Sequence, residues 1–200
     1  MKNFTDIAFT DDVKKVQTEL GSRKNYRRME QNPAPTELSE SEIAFIEQSE
    51  FFYQATVSSD GWPYVQHRGG PRGFLKVLAG NQIAYADFRG NKQYLSVGNI
   101  QSNNRTSIII MDYPRKARLK VWARSEIVNE SENPQLFQQL KHPEYKARIE
   151  RVIVLTIEAL DWNCPQHIKP RFTEQEVAEW FAPHQQRIDE LEAEIKALKG

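Results

Sequence analysis

Apolar and polar positions change their period several times along the chain, and each change marks an element. Val13, Val16 and Leu20 fall at helical spacing behind Thr10-Asp11-Asp12, a helix start that Gly21-Ser22 ends. Arg23 to Arg28 is a basic stretch, and Gln31-Asn32-Pro33-Ala34-Pro35 breaks any helix and reads as a linker or an arm over a neighbour. Ser39-Glu40-Ser41-Glu42 has the form of a capping box before Ile43, Phe45 and Ile46, which predicts a short helix to about Gln48.

From Phe51 the period becomes extended. Phe51 to Ser58 is aromatic and β-branched, Ser59-Asp60-Gly61 is a hairpin turn, and Trp62 to His67 is the return strand, with Pro63 placing its start at an edge. Arg68-Gly69-Gly70-Pro71-Arg72-Gly73 is the sharpest break. Strands follow at Phe74 to Leu78 and Gln82 to Phe88, then a helix from Asn91 to about Ile100. Further strands are predicted at Thr106 to Tyr113, Leu119 to Val128 and Arg151 to Ala159, with a helix at Gln135 to Leu140. Six or seven short strands with close turns argue for an antiparallel barrel or sandwich, mainly β with peripheral α. At the C-terminus Phe181, Ile188, Leu191, Ile195 and Leu198 recur at heptad spacing among Asp189, Glu190, Glu192, Glu194 and Lys196, a helix fit either to pair with another helix or to lie on its own domain. The expected organisation is an N-terminal helix and arm at 1–38, a β domain at 39–172 and a C-terminal helix at 173–200.

Composition narrows the class. The 200 residues carry 27 basic and 27 acidic side chains, so a broadly basic nucleic-acid binder is excluded while a local anion site stays open. No apolar run approaches the roughly 20 residues that span a bilayer, and the first residues lack the apolar core of a secretory signal. A cytoplasmic protein without a membrane partner is the expectation. Cys164 is the single cysteine, which excludes an intrachain disulfide and a multi-cysteine metal site.

Three segments are candidates for chemistry. Gln66 to Lys76 combines three glycines with three cations, and glycine lets backbone N–H groups face an anion that arginine can hold with two donors; the alternative is a turn with solvated arginines. Tyr85 to Leu95 ends a strand and opens the predicted helix with Asn91 and Lys92, where N–H groups and the helix dipole favour phosphate; the alternative is an ordinary strand-to-helix turn. Asp161 to Phe172 holds Cys164 and His167 at half-site spacing, but His67, His142 and His184 are scattered and no metal is expected. Trp162 and Arg171 in that segment offer a stacking face and a cation for a flat aromatic ligand. Walker loops, dinucleotide-binding glycine fingerprints and Ser/His/Asp triads are absent from the sequence.

The stretches Asp60 to Pro71, Phe74 to Leu78 and Ala84 to Asn91 resemble the flavin-nucleotide-binding branch of the pyridoxamine phosphate oxidase-like family, as do Met111-Asp112-Tyr113-Pro114 and Asp161 to His167. The resemblance spans roughly residues 40–172 and implies an FMN-binding split β-barrel that works as a homodimer with flavins at the subunit interface. Carried over by position, it implies that Arg68 or Arg72, with Asn91 and Lys92, holds the phosphate. Gly73, Phe74 and Leu75 would lie along the flavin edge, Tyr85, Ala86 and Asp87 would flank the ribityl chain, and Trp162 and Arg171 would approach from the partner. The oxidases' serine-arginine-lysine run is Gly90-Asn91-Lys92 here, and their C-terminal substrate segment is unmatched, which separates this chain from vitamin B6 oxidation. The implied function is an FMN-dependent oxidoreductase that moves hydride or electrons from NADH or NADPH to a substrate, with no catalytic side chain evident. The competing expectations are a flavin carrier or redox sensor without turnover, and a split barrel that binds haem in place of FMN.

Overall fold

The computed structural model describes residues 1–199. Three short helices open the chain: α1 (Phe4–Ala8), α2 (Asp11–Glu19) and α3 (Arg23–Met29). The basic stretch is therefore helical, tied by Arg23, whose guanidinium donates to both carboxylate oxygens of Glu30 at 2.9 and 2.7 Å. α4 (Glu40–Glu47) follows the expected capping box: the Ser39 hydroxyl accepts from the Glu42 N–H, and the Glu42 carboxylate accepts from the Ser39 N–H at 2.8 Å.

Seven strands then form one antiparallel sheet: β1 (Phe51–Val57), β2 (Pro63–Gly69), β3 (Leu75–Val77), β4 (Gln82–Phe88), β5 (Arg105–Asp112), β6 (Ala117–Val128) and β7 (Ile149–Trp162). Their order is β2-β1-β5-β6-β7-β4-β3, so β2 and β3 are the free edges. The sheet curls into the split β-barrel, because side chains of β1 meet those of β4 although β5, β6 and β7 lie between the two strands in the order. Phe52 packs edge-on to Tyr85 at 5.1 Å and parallel to Phe74 at 5.8 Å. The enclosed core holds Phe52, Leu75, Ile83, Tyr85, Ile108, Ile110, Leu119, Val121, Ile153, Leu155 and Ile157, with Ile46 of α4 closing one side. A second cluster, Ala84, Ala86, Val152 and Val154 with Leu136, Phe137 and Leu140 of α6 (Pro134–Leu140), covers the other face of β4 and β7. β4 is thus covered on both faces, which explains a buried run from Ile83 through Asp87.

Among the boundaries that differ from the sequence expectation, those of three elements have a visible cause. β3 starts at Leu75 because the Phe74 N–H is held in the turn by the Pro71 carbonyl at 2.9 Å. β7 runs from Ile149 to Trp162, beyond the predicted Arg151 to Ala159, since both β4 and β6 pair along it. The helix predicted from Asn91 is α5 (Leu95–Ser102): Lys92 and Tyr94 adopt left-handed backbones with φ of 61° and 53°, which helical continuation does not allow.

By contact density the chain forms two units, residues 1–111 with 118–164, and residues 112–117 with those from 165 onward. The second contains the turn between β5 and β6 and α7 (Glu174–Lys199). Within it the Arg171 guanidinium lies 5.0 Å over the Tyr113 ring. Thr173 and Glu176 make a capping box, the Thr173 N–H donating to Glu176 at 2.8 Å and the Glu176 N–H to the Thr173 hydroxyl at 3.2 Å. No residue of α7 is buried.

Candidate functional site

β1 buries alternate residues, and two of the three inward positions are polar: Gln54 and Thr56 are both fully buried. A polar residue facing a barrel interior requires partners. The Tyr85 hydroxyl donates to Gln54 Oε1 at 2.6 Å, and the same oxygen accepts from Arg68 Nε at 3.3 Å. With its oxygen facing two donors, the amide has a fixed orientation, and its Nε2 is left buried without a partner. Burial pushes the Tyr85 hydroxyl far above its ordinary value, so it stays a neutral donor.

Arg68 connects this pair to a second. Its Nη1 donates to Asp87 Oδ1 at 2.5 Å, and Arg151 Nη1 donates to Asp87 Oδ2 at 2.7 Å. Asp87 is therefore a buried carboxylate between two guanidiniums, one from β2 and one from β7. Arg151 also reaches Glu150 at 3.3 Å and lies 4.9 Å over the Tyr94 ring, and Arg89 approaches Glu150 at 3.9 Å. Around one point the chain sets four cations (Arg68, Arg89, Lys92 and Arg151) against two carboxylates (Asp87 and Glu150), a local surplus in a chain that is neutral overall.

A pocket of about 210 Å³ opens beside this cluster. Tyr64, Gln66 and Arg68 reach it from one face of β2, Asp87 and Phe88 from β4, and Gly90 to Lys92 from the loop. The first residues of α5, Leu95, Ser96 and Val97, close it. The N-cap of α5 is Tyr94, which supplies no side-chain hydrogen bond, so the pocket meets an uncapped helix N-terminus. Ser96 is turned aside to donate to Gln66 at 2.8 Å. Convergent N–H groups, a helix dipole and surplus cations are the donor set of a phosphate site.

Of the residues singled out in the sequence, Arg68, Asp87, Asn91 and Lys92 meet at this pocket. Lys92 does so from the loop, not from the first helical turn. Phe74, Leu75, Tyr85 and Ala86 are buried in the sheet's two clusters. Arg72 is exposed and pairs with Glu50 at 3.3 Å. The glycine-rich turn uses its N–H groups internally: Gly70 donates to the Glu50 carbonyl and Gly73 to the Glu47 carbonyl, each at 2.9 Å. Gly73 is required there by its φ of +79°, and at Gly70 a Cβ would sit 2.7 Å from the Phe74 ring. Trp162 packs edge-on to Phe45 at 4.8 Å and donates its indole N–H to Glu42 at 3.2 Å, and Arg171 belongs to the second unit. Sequence reasoning missed Gln54, Glu150 and Arg151, and gave Tyr94 no role beyond its place in the Tyr85 to Leu95 segment. Gln54 had a signal, a polar residue in phase with the inward Phe52, whereas Arg151 and Glu150 reach the site only through the β4–β7 register.

A family model for pyridoxamine 5'-phosphate oxidase matches residues 38–164. No curated protein matches the sequence significantly. Among solved structures, HupZ of Group A Streptococcus is 14% identical with a TM-score of 0.48, covering 68% of this chain and 99% of its own. Protein Rv2991 of Mycobacterium tuberculosis is 18% identical with a TM-score of 0.47, covering 72% and 96%. A Clostridium acetobutylicum protein related to general stress protein 26 is 14% identical with a TM-score of 0.45, covering 67% and 92%.

Proposed function

Because the chain belongs to the pyridoxamine 5'-phosphate oxidase family, we propose that it is an FMN-dependent oxidoreductase whose pocket between β2, β4 and the start of α5 receives the FMN phosphate. The observation that carries this reading is the surplus of cations at an uncapped helix N-terminus. Two left-handed non-glycine residues, Lys92 and Tyr94, lie within three positions beside the pocket. Such backbone costs of order 1 kcal/mol or more each and concentrates at ligand sites. The pocket lining contains no histidine, which favours a phosphate over a haem iron.

The residues fit the phosphate end of FMN. Lys92 and Arg68 would supply charge and Leu95, Ser96 and Val97 the helix N-terminus, with Asp87 holding Arg68 in place. Bound FMN supplies the hydride and electron transfer. The pocket, at about 210 Å³, is smaller than the roughly 300 Å³ at which pockets for whole small ligands begin, so the ring needs additional covering surface. A second copy is the proposed cover. β2 is a free edge, and on it or beside it Val65 and Trp62 are 61% and 77% exposed.

The test is the visible spectrum of the purified protein with titrations of FMN and riboflavin. A two-band flavin spectrum and FMN affinity at least tenfold above riboflavin are expected. Lys92→Glu should weaken FMN by at least about tenfold, the scale of one charge-assisted contact, and leave riboflavin unchanged. Equal affinity for both ligands, or an unaffected Lys92→Glu variant, overturns the phosphate assignment. Bleaching by NADH or NADPH separates an oxidoreductase from a carrier.

A further inference from the structure

α7 is a 26-residue helix whose apolar stripe meets no buried surface. Val177, Phe181, Ile188, Leu191, Ile195 and Leu198 are all at least 40% exposed, and they lie on one face of the helix. With His184 included, the stripe advances by four and three in strict alternation from Val177 to Leu198. In heptad terms Phe181, Ile188 and Ile195 take position a, and Val177, His184, Leu191 and Leu198 take position d. β-Branched isoleucine at a with leucine at d is the packing preference of a parallel pair of helices.

The flanking charges select the occupant. Arg187 and Glu194 fall at g, and Glu192 and Lys199 at the e positions that follow them. In a parallel, in-register pair of identical helices each g residue faces the next e residue of the other strand. Arg187 then meets Glu192 of the second copy, and Glu194 meets its Lys199, so all four contacts are attractive. A shift by one heptad sets Arg187 against Lys199 or Glu194 against Glu192, both repulsive. Arg187 in the single chain holds Glu190 at 3.1 Å on an exposed surface, a contact weak enough to exchange. Pro183 falls at c, on the outside of the pair, so it does not obstruct the seam.

We propose that the C-terminal helix, from His184 to Lys199, pairs with the same helix of a second copy as a parallel, in-register two-stranded coiled coil. The pairing is independent of the flavin reading, and its test needs no flavin. In the full chain with Cys164→Ser, one cysteine is introduced at a time, as Leu198→Cys at a core d position or as Glu190→Cys at the outward c position. In a glutathione redox buffer the Leu198→Cys protein should form at least tenfold more disulfide-linked dimer than the Glu190→Cys protein, and Ile188→Lys with Ile195→Lys should abolish the excess. Equal yields at the two positions overturn the proposal. So does a mixture in which Leu198→Cys links to Phe181→Cys in preference to itself, because that a-to-d contact belongs to the antiparallel arrangement.

Discussion

Burial holds the Asp161 carboxyl above its ordinary value of 3.8, and the Lys120 ammonium 3.8 Å away offsets only part of this. The folded chain therefore binds the Asp161 proton more tightly than the unfolded chain does. Stability falls as pH rises through the window between 3.8 and the raised value, and the full penalty is present above it. Asp161→Asn removes the charge and is expected to raise Tm at pH 7 by about 1–3 °C. The gain should close as pH is lowered below about 4, where an unfolded aspartate is itself protonating. Thermal melts at both pH values check this, and a lower Tm for the variant at pH 7 would show that the Lys120 pair outweighs burial. Burial raises the Tyr85 hydroxyl as well, and there the retained proton makes the hydrogen bond that Gln54 accepts. Neither environment is visible in the residue itself. Asp161 was legible only as part of a segment, and Tyr85 as a strand residue that the family resemblance set beside the ribityl chain, without its buried bond to Gln54.

At the scale of elements, Asp87 on β4 joins β2 through Arg68 and β7 through Arg151. β2 and β4 share no backbone ladder, so the Arg68–Asp87 pair is a side-chain clasp across the split. Asp87→Ala leaves two guanidiniums facing each other in a largely buried place. It is expected to destabilise the fold by about 3–5 kcal/mol, the cost of removing one partner from a buried ion pair. Chemical denaturation measures this, and a loss under about 1 kcal/mol would mean that water already screens the clasp. Helix starts were readable where short-range chemistry decides them: Ser39 and Glu42 cap α4 as their spacing implies. The start of α5 was not readable. Nothing in Asn91-Lys92-Gln93-Tyr94 signals left-handed backbone at two non-glycine residues, which surrounding structure must impose.

For the whole molecule, the flavin reading requires a second copy to complete the site. Light scattering of the FMN-loaded protein at micromolar concentration should report twice 23.3 kDa. The Ile188→Lys, Ile195→Lys variant should keep that mass, because the shared flavin site is proposed on the β2 edge and uses no residue of α7. A monomer that retains FMN would refute the shared site. The seven-stranded antiparallel arrangement was anticipated from turn spacing and strand alternation, both local properties. Strand order was not, because it depends on which distant strands pair: β1 pairs with β5 and β4 with β7, while the sequence neighbours β2 and β3 end at opposite edges.

The amino-acid sequence by itself determined the elements, the family likeness and the cations available for a phosphate, since propensity, capping and motif spacing act over a few residues. It also set the heptad register of α7, which is a property of one helix. Only the tertiary structure decided which cations converge. Arg68 and Arg72 are equivalent in sequence, yet strand alternation turns Arg68 inward to Asp87 and Gln54 while the turn leaves Arg72 outside with Glu50. Arg151 is remote along the chain and reaches Asp87 only because β7 pairs with β4. Convergence of this kind comes from long-range register and sheet curl, and no local sequence pattern encodes either.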